Sequence, residues 1–251
     1  MTKAIEAETT DEYERGLAWE ILGDCYYEGG HGVEKDYAKA LECYKESEAL
    51  GTEDFEKSAF TMGRYAVCYY ETKDYDSAAE WFKKAESVGE LTEGYTMYDY
   101  GRCNYNGYGV DKDYDKAFSY LKKAYEKDCA EATCPLGVCY YSGSGVEQDY
   151  NKAFSYFKKA ADNGNANACS NVGHCYYNGY GVDKDYNQAF SYFNKASESG
   201  VSQGTANMGV CYEYGYGVEQ DLEKAKECYQ KAADMGNEMA KTSLEKLQAA
   251  E

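Results

Sequence analysis

Apolar residues in this chain recur at helical spacing. Between positions 149 and 164, Ala153, Tyr156, Phe157 and Ala160 form one stripe while Lys152, Lys158 and Lys159 face elsewhere, the pattern of a helix with one buried side. Upstream, Ala132, Leu136 and Tyr140 recur at four-residue steps, as do Ala168, Val172 and Tyr176 one period later. That period is 36 residues: Gly101, Gly137, Gly173 and Gly209 centre successive copies, each followed by a Gly-x-Gly-Val turn and then an Asp. Such self-similarity marks a repeat architecture. An earlier copy is centred on Gly23 and turns at Gly30, His31, Gly32 and Val33; a sixth, centred on Ala66, lacks the turn.

A second register defines the other half of each unit. Asp36, Asp74, Asp113, Asp149, Asp185 and Asp221 are each followed 15 residues later by Gly51, Gly89, Asp128, Gly164, Gly200 and Gly236. Asp is a favoured helix N-cap and Gly a favoured residue just past a helix end, so each interval predicts a helix of about four turns. The segment before each turn is its partner helix. Gly at the middle of that partner costs about 1 kcal/mol relative to Ala, which predicts a neighbouring backbone in close approach. Each unit is then a helical hairpin that cannot bury both faces alone, so neighbours must stack into an all-α solenoid. From each reversal to the next central small residue the spacing is 9 in the last three junctions, but 15 from Gly51 to Ala66 and 12 from Gly89 to Gly101. The first helices of the second and third copies are therefore expected to be longer.

These residues resemble the Sel1-like repeat family, relatives of tetratricopeptide repeats with a longer turn inside the hairpin. Its pattern is matched in one copy by Ala132, Leu136, Gly137, Tyr140, Gly143, Gly145, Val146, Asp149, Lys152 and Ala153. Five copies follow it, and the second resembles a tetratricopeptide hairpin. The resemblance implies a right-handed α-solenoid that serves protein–protein interaction without chemistry of its own. The expected organisation is a single solenoid over 1–250: a lead-in at 1–16, six hairpins over 17–236, and a capping helix at 237–250, where Ala240, Leu244 and Leu247 continue the first-helix stripe.

Composition narrows the partners. The 45 acidic residues against 26 basic ones leave a net charge of −19, which repels phosphate and anionic lipid, so nucleic acid and membrane are excluded as first expectations. The expected partner is a protein or peptide, with a basic or extended segment favoured, and the chain is expected to be a monomer. No apolar window approaches membrane-spanning length. With Glu6, Glu8, Asp11 and Glu12 near the start and 11 Cys in all, a reducing cytoplasmic setting is expected, with a trimmed export signal as the alternative.

Candidate chemistry reduces to little. Cys25, Cys68, Cys103, Cys139, Cys175 and Cys211 stand two residues after each central small residue and read as buried, reduced core thiols rather than a metal ladder, since no CxxC occurs. Cys43 and Cys228 leave a pairing with Cys25 or Cys211 open. Asp111, Asp113 and Asp115, like Asp183, Asp185 and Asn187, imitate a calcium loop, but Lys116 and Gln188 replace its turn glycine. His31 and His174 lie four repeats apart and build no catalytic set. No metal, cofactor or enzymatic activity is expected.

The remaining series is tyrosine. Tyr27, Tyr70, Tyr105, Tyr141 and Tyr177 occupy the fourth position after the central small residue; Glu213 breaks the series, with Tyr214 adjacent. By resemblance to tetratricopeptide hairpins this position lines the concave groove, together with Asp24, Val67, Arg102, Val138, His174 and Val210. Packing between adjacent repeats is the alternative. The groove is the working expectation because Tyr26, Tyr69, Tyr140, Tyr176 and Tyr212 already supply a core position, so Tyr105, Tyr141 and Tyr177 should be accessible while Tyr140 and Tyr176 are buried. The expected function is an adaptor binding a partner through Tyr27, Tyr70, Tyr105, Tyr141, Tyr177, Tyr214, Arg102 and His174 on a tyrosine-rich, acidic surface. A regulatory or carrier module for a small ligand or an enzyme subunit is the alternative.

Overall fold

A computed structural model describes residues 11–30, 32–51 and 57–249. Its residues group into two compact units, 1–129 and 130–251. In unit 1, α1 (Glu12–Glu28) pairs with α2 (Tyr37–Ala49), α3 (Ala59–Glu71) with α4 (Tyr75–Val88), and α5 (Gly94–Asn106) with α6 (Tyr114–Glu126). In unit 2, a short 3-10 turn (Ala130–Ala132) leads to α7 (Thr133–Ser142), paired with α8 (Tyr150–Asp162). The pairs α9 (Ala166–Asn178) with α10 (Tyr186–Glu198) and α11 (Ser202–Tyr214) with α12 (Leu222–Asp234) follow, and α13 (Glu238–Ala249) packs on α12 as the expected terminal helix. The architecture is an all-α solenoid of stacked hairpins. Among the described residues the only β pairing is an isolated bridge between Gly30 and Val33, and no helix is long and apolar enough to cross a membrane. His31 lies outside the described residues, as does most of the 1–16 lead-in, from which the chain is helical at Glu12, earlier than expected.

The six aspartates cap their helices as their spacing requires. Each side chain accepts a hydrogen bond from the backbone N–H three residues on, as in Asp149 from Lys152 at 3.0 Å and Asp185 from Gln188 at 3.0 Å. That bond satisfies one of the orphan donors of the first turn, and it accounts for Asp113 and Asp185 without calcium.

The central glycines have a different cause from the one expected. A Cβ at Gly173 would sit 2.6 Å from the Phe193 ring, at Gly137 2.7 Å from Phe157, at Gly209 2.6 Å from Tyr229, and at Gly23 2.7 Å from Tyr44. In these hairpins a ring of the second helix lies closest to the glycine, with a backbone in tight approach only at Gly173, where the Ala189 carbonyl oxygen would stand 3.2 Å from a Cβ. Closer backbone approach occurs at the second glycine of the turn. A Cβ at Gly181 would stand 2.0 Å from the Tyr150 carbonyl oxygen, and at Gly217 2.1 Å from that of Tyr186. Both glycines have φ of 70°, a region that L side chains avoid, so position and conformation together demand glycine.

The expected longer first helices are absent. Both α3 and α5 have 13 residues, the length of α9 and α11. Before α5 the extra residues form a non-helical stretch at 90–93 that buries Leu91 near Gly63, and those before α3 fall within 52–56, outside the described residues.

Candidate functional site

The tyrosines of the ladder are built into inter-repeat clasps. In unit 2, Tyr141 on α7 meets Tyr150 of its own hairpin edge-on at 5.4 Å and Tyr180, from the turn of the next hairpin, at 5.8 Å. Tyr150 and Tyr180 stack on each other at 4.5 Å and 12°. The same triangle recurs one repeat later with Tyr177, Tyr186 and Tyr216, the last two stacked at 4.5 Å. In unit 1 Tyr70, Tyr75 and Tyr108 form it, with a 4.4 Å stack between Tyr75 and Tyr108. The close approach at Gly181 and Gly217 lowers the turn onto the previous helix, and the tyrosine between the two turn glycines is thereby laid flat on its partner ring. In this geometry Tyr70, Tyr141 and Tyr177 pack between adjacent repeats, the alternative to a free groove.

This geometry corrects several expectations about the ladder. Tyr27 and Tyr70 are buried: the Arg64 guanidinium lies 4.9 Å from the Tyr27 ring centre, and that of Arg102 lies 5.0 Å from the Tyr70 ring centre. Burial, and then the charge of Glu93, drive the Tyr27 phenol pKa well up. The contrast expected between neighbouring rings is also absent, since Tyr140, Tyr141, Tyr176 and Tyr177 are all half-buried. Tyr140 stacks on Tyr156 at 5.6 Å, and Tyr176 on Tyr192 at 5.8 Å; Tyr140 and Tyr176 pack against the edge of the core cluster that contains Tyr192. Tyr105 is half-buried against Tyr114, and Tyr214 is exposed. Arg102 is half-buried, pairing with Asp99 at 3.6 Å.

Arg64 was missed from sequence. It is 6% exposed and pairs with Asp24 at 3.0 Å, Glu28 at 2.6 Å and Glu93 at 2.7 Å, so three carboxylates offset the cost of burying one guanidinium. A lone Arg in a helix gives no signal of this, because its partners lie 40, 36 and 29 residues away in sequence.

In unit 2 the corresponding space is open. A cleft of about 320 Å³ runs across α7, α9 and α11. Val138, Tyr141 and Phe157 form its apolar wall, Ser170, Asn171 and His174 its centre, and Gln203 and Asn207 its far rim. Tyr141 and His174 stand there together, with the phenol oxygen 3.5 Å from Nδ1, while Asn178 Nδ2 lies 3.2 Å from Nε2 and donates to the His174 carbonyl at 3.0 Å. Loss of hydration beside these rings lowers the His174 pKa, leaving the imidazole neutral at pH 7. The cleft offers ring faces, amides and hydroxyls, which bind and orient. Ser170, Asn171, Gln203 and Asn207 were not singled out from sequence; the shared place of Asn171 and Asn207, two residues before their central glycines, was the available signal.

The thiols behave as core residues. Cys68, Cys103, Cys139, Cys175 and Cys211 are buried, but Cys25 is only half-buried, contrary to expectation; none of the eleven cysteines is in a disulfide, Cys43 and Cys228 included. Among the described residues no cluster of three His, Cys, Asp or Glu is arranged to hold a metal ion.

Comparison with known proteins agrees with this architecture. The sequence model of the Sel1 repeat matches residues 21–51, 62–89, 94–129, 130–165, 166–201 and 202–237. Among solved structures, a protective antigen of uropathogenic Escherichia coli displaying an SLR fold is 25% identical with a TM-score of 0.64; the match covers 91% of this chain and 48% of that one. The chain thus spans about half the length of that antigen. A Sel1 repeat protein from Oxalobacter formigenes is 23% identical, with a TM-score of 0.64 and coverage of 92% and 90%. YrrB, a TPR protein with an unusual peptide-binding site, is 20% identical, with a TM-score of 0.51 and coverage of 81% and 94%.

Proposed function

The chain belongs to the Sel1 repeat family, whose repeats generally mediate protein–protein interaction, and from that premise we propose that it is a non-catalytic adaptor holding a segment of a protein partner in the cleft of unit 2. The observation that carries this reading is the cleft itself: an opening of about 320 Å³ with ring and amide walls, at positions that in unit 1 are filled by Arg64 and its carboxylates. Concave sites with an apolar wall and a few polar groups are the usual seats of ligands. Of the ladder, Tyr141 and His174 face the partner, with Tyr177 and Tyr214 following them in unit 2, while Tyr105 and Arg102 belong to unit 1 and Tyr27 and Tyr70 serve the fold. The net charge of −19 draws basic partners at long range, while the cleft makes the short-range contacts.

A photo-crosslinking amino acid at Gln203, on the rim, tests this. Cross-links to a partner protein should form at 203 and disappear with Asn207→Arg, which fills the cleft, while circular dichroism stays unchanged. Partner binding that survives Asn207→Arg at full strength refutes the assignment.

A further inference from the structure

Register by register, the two units differ in what they place at the second position before the central small residue. Unit 1 has Ile21, Arg64 and Asp99 there; unit 2 has Pro135, Asn171 and Asn207. In unit 1 the charge of Arg64 is matched within the chain. In unit 2 seven of the eight side chains lining the cleft are uncharged by type, and partial burial draws the eighth, His174, toward its neutral form.

The polar groups of that cleft are also unspent. Ser170 lines the opening, and its hydroxyl, which no side chain or carbonyl pairs among the described residues, is open to solvent there. The Asn171 amide reaches only Cys134 Sγ, at 3.6 Å, which leaves its carbonyl oxygen unengaged. Asn207 accepts from Gln203 at 3.0 Å and keeps its own N–H groups open. Polar groups in a concave site that only water satisfies are free to exchange that water for the donors and acceptors of a ligand.

We infer that the cleft binds an uncharged, extended stretch of polypeptide, its main-chain amides bonded by Ser170, Asn171 and Asn207, with one apolar side chain seated against Val138 and Phe157. This deepens the proposed function and rests on it. An extended main chain presents N–H donors and C=O acceptors in turn, and hydroxyl and primary-amide side chains meet both kinds. A charged side chain entering the same space loses hydration without gaining a counter-ion, so the long-range field of the chain and the chemistry of the cleft select differently.

The test uses the full chain and three sets of labelled peptides: uncharged, Lys/Arg-rich and Asp/Glu-rich, each measured in low and high salt. The uncharged set should bind, with affinity changing less than about twofold between the two salts. N-methylation of the peptide main chain should weaken binding about tenfold or more, as should Asn171→Leu with Asn207→Leu where circular dichroism shows the fold retained. The N-methylated peptides leave the protein unaltered, so this arm stands even if the variants misfold. Preference for the basic set with a steep loss in salt, blocked by Val138→Trp, overturns the inferred chemistry and leaves the cleft as the binding site. Binding of none of the sets overturns both readings. Uncharged peptides that tolerate N-methylation overturn the main-chain role.

Discussion

The Tyr229 hydroxyl donates to Glu213 Oε2 at 2.6 Å, and the same ring lies on Gly209 of the facing helix. Where the second helix carries Phe157 or Phe193 instead, the position of Glu213 is held by Tyr141 or Tyr177. The break in the tyrosine ladder is therefore a local exchange: a hydroxyl added on one helix requires an acceptor on the other. Tyr229→Phe should cost about 1 kcal/mol by stranding the carboxylate, and adding Glu213→Tyr, which recreates the neighbouring hairpins, should recover most of it. Urea denaturation of the two variants measures the difference; additive losses contradict the exchange.

Hairpin count, caps and repeat boundaries were legible because each depends on a residue and its near neighbours in sequence. Asp149 caps α8 through a bond to Lys152, three residues away, and a period of 36 exposes such local rules six times over. What ring chemistry does across repeats was not legible. Tyr141 reads as a groove residue until Tyr180, 39 positions on, is seen closing on it. The Arg64 cluster was hidden for the same reason, and the cleft follows from which rows are left unfilled, a property of no single repeat.

Removing Arg64 should be costly. Arg64→Met keeps the bulk but leaves Asp24, Glu28 and Glu93 without their shared cation, and breaking a buried ion pair from one side costs about 3–5 kcal/mol. Glu28 is the most exposed of the three acids, so Glu28→Gln should cost under about 1 kcal/mol. Equal losses for the two variants contradict this division of roles.

Two glycines with left-handed backbones separate crowding from conformation. Gly164 has φ of 87° and open space around its Cβ position, whereas a Cβ at Gly181 would fall 2.0 Å from the Tyr150 carbonyl oxygen. Gly164→Ala should cost about 1–2 kcal/mol, the price of the left-handed region alone. Gly181→Ala should cost about 3 kcal/mol or more, because the turn must lift and the stack of Tyr150 on Tyr180 must open. Near-ultraviolet circular dichroism reports the loss of tyrosine packing in Gly181→Ala only.

Alkali should weaken the fold through its thiols. Burial pushes the Cys139 thiol up to about 11 and those of Cys175 and Cys211 to about 12, against about 8.5 for an unfolded chain. A pKa raised on folding gives stability that is complete below the unfolded value and lost as pH rises through the folded one. Unfolding free energy should therefore be flat in this respect from pH 7 to about 8.5 and fall by about 1–3 kcal/mol per buried thiol toward pH 11. Substituting Cys175→Ala should remove its share of the slope. Under native conditions at pH 7.5 the half-buried Cys25, Cys169 and Cys228 should react with a thiol reagent first.

The clasp of Tyr141, Tyr150 and Tyr180 decides between the two roles weighed for the ladder. Tyr140 and Tyr141 are both half-buried, and each touches aromatic rings, Tyr156 in the first case and Tyr150 with Tyr180 in the second. Tyr140→Ala and Tyr141→Ala should then lower the unfolding free energy by similar amounts, each below the roughly 3–5 kcal/mol of a fully buried aromatic. A double-mutant cycle between Tyr150 and Tyr180 should give a coupling of about 0.5–1.5 kcal/mol, the range of a well-formed aromatic pair. Tyr141→Phe keeps the ring and its edge contacts but removes the hydroxyl that stands 3.5 Å from His174. It should leave the unfolding free energy within about 0.5 kcal/mol of the parent while changing partner affinity, because the hydroxyl end faces the cleft. A cycle energy near zero, with Tyr141→Ala as stable as the parent, means the rings do not join the repeats and the ladder belongs to the binding surface alone.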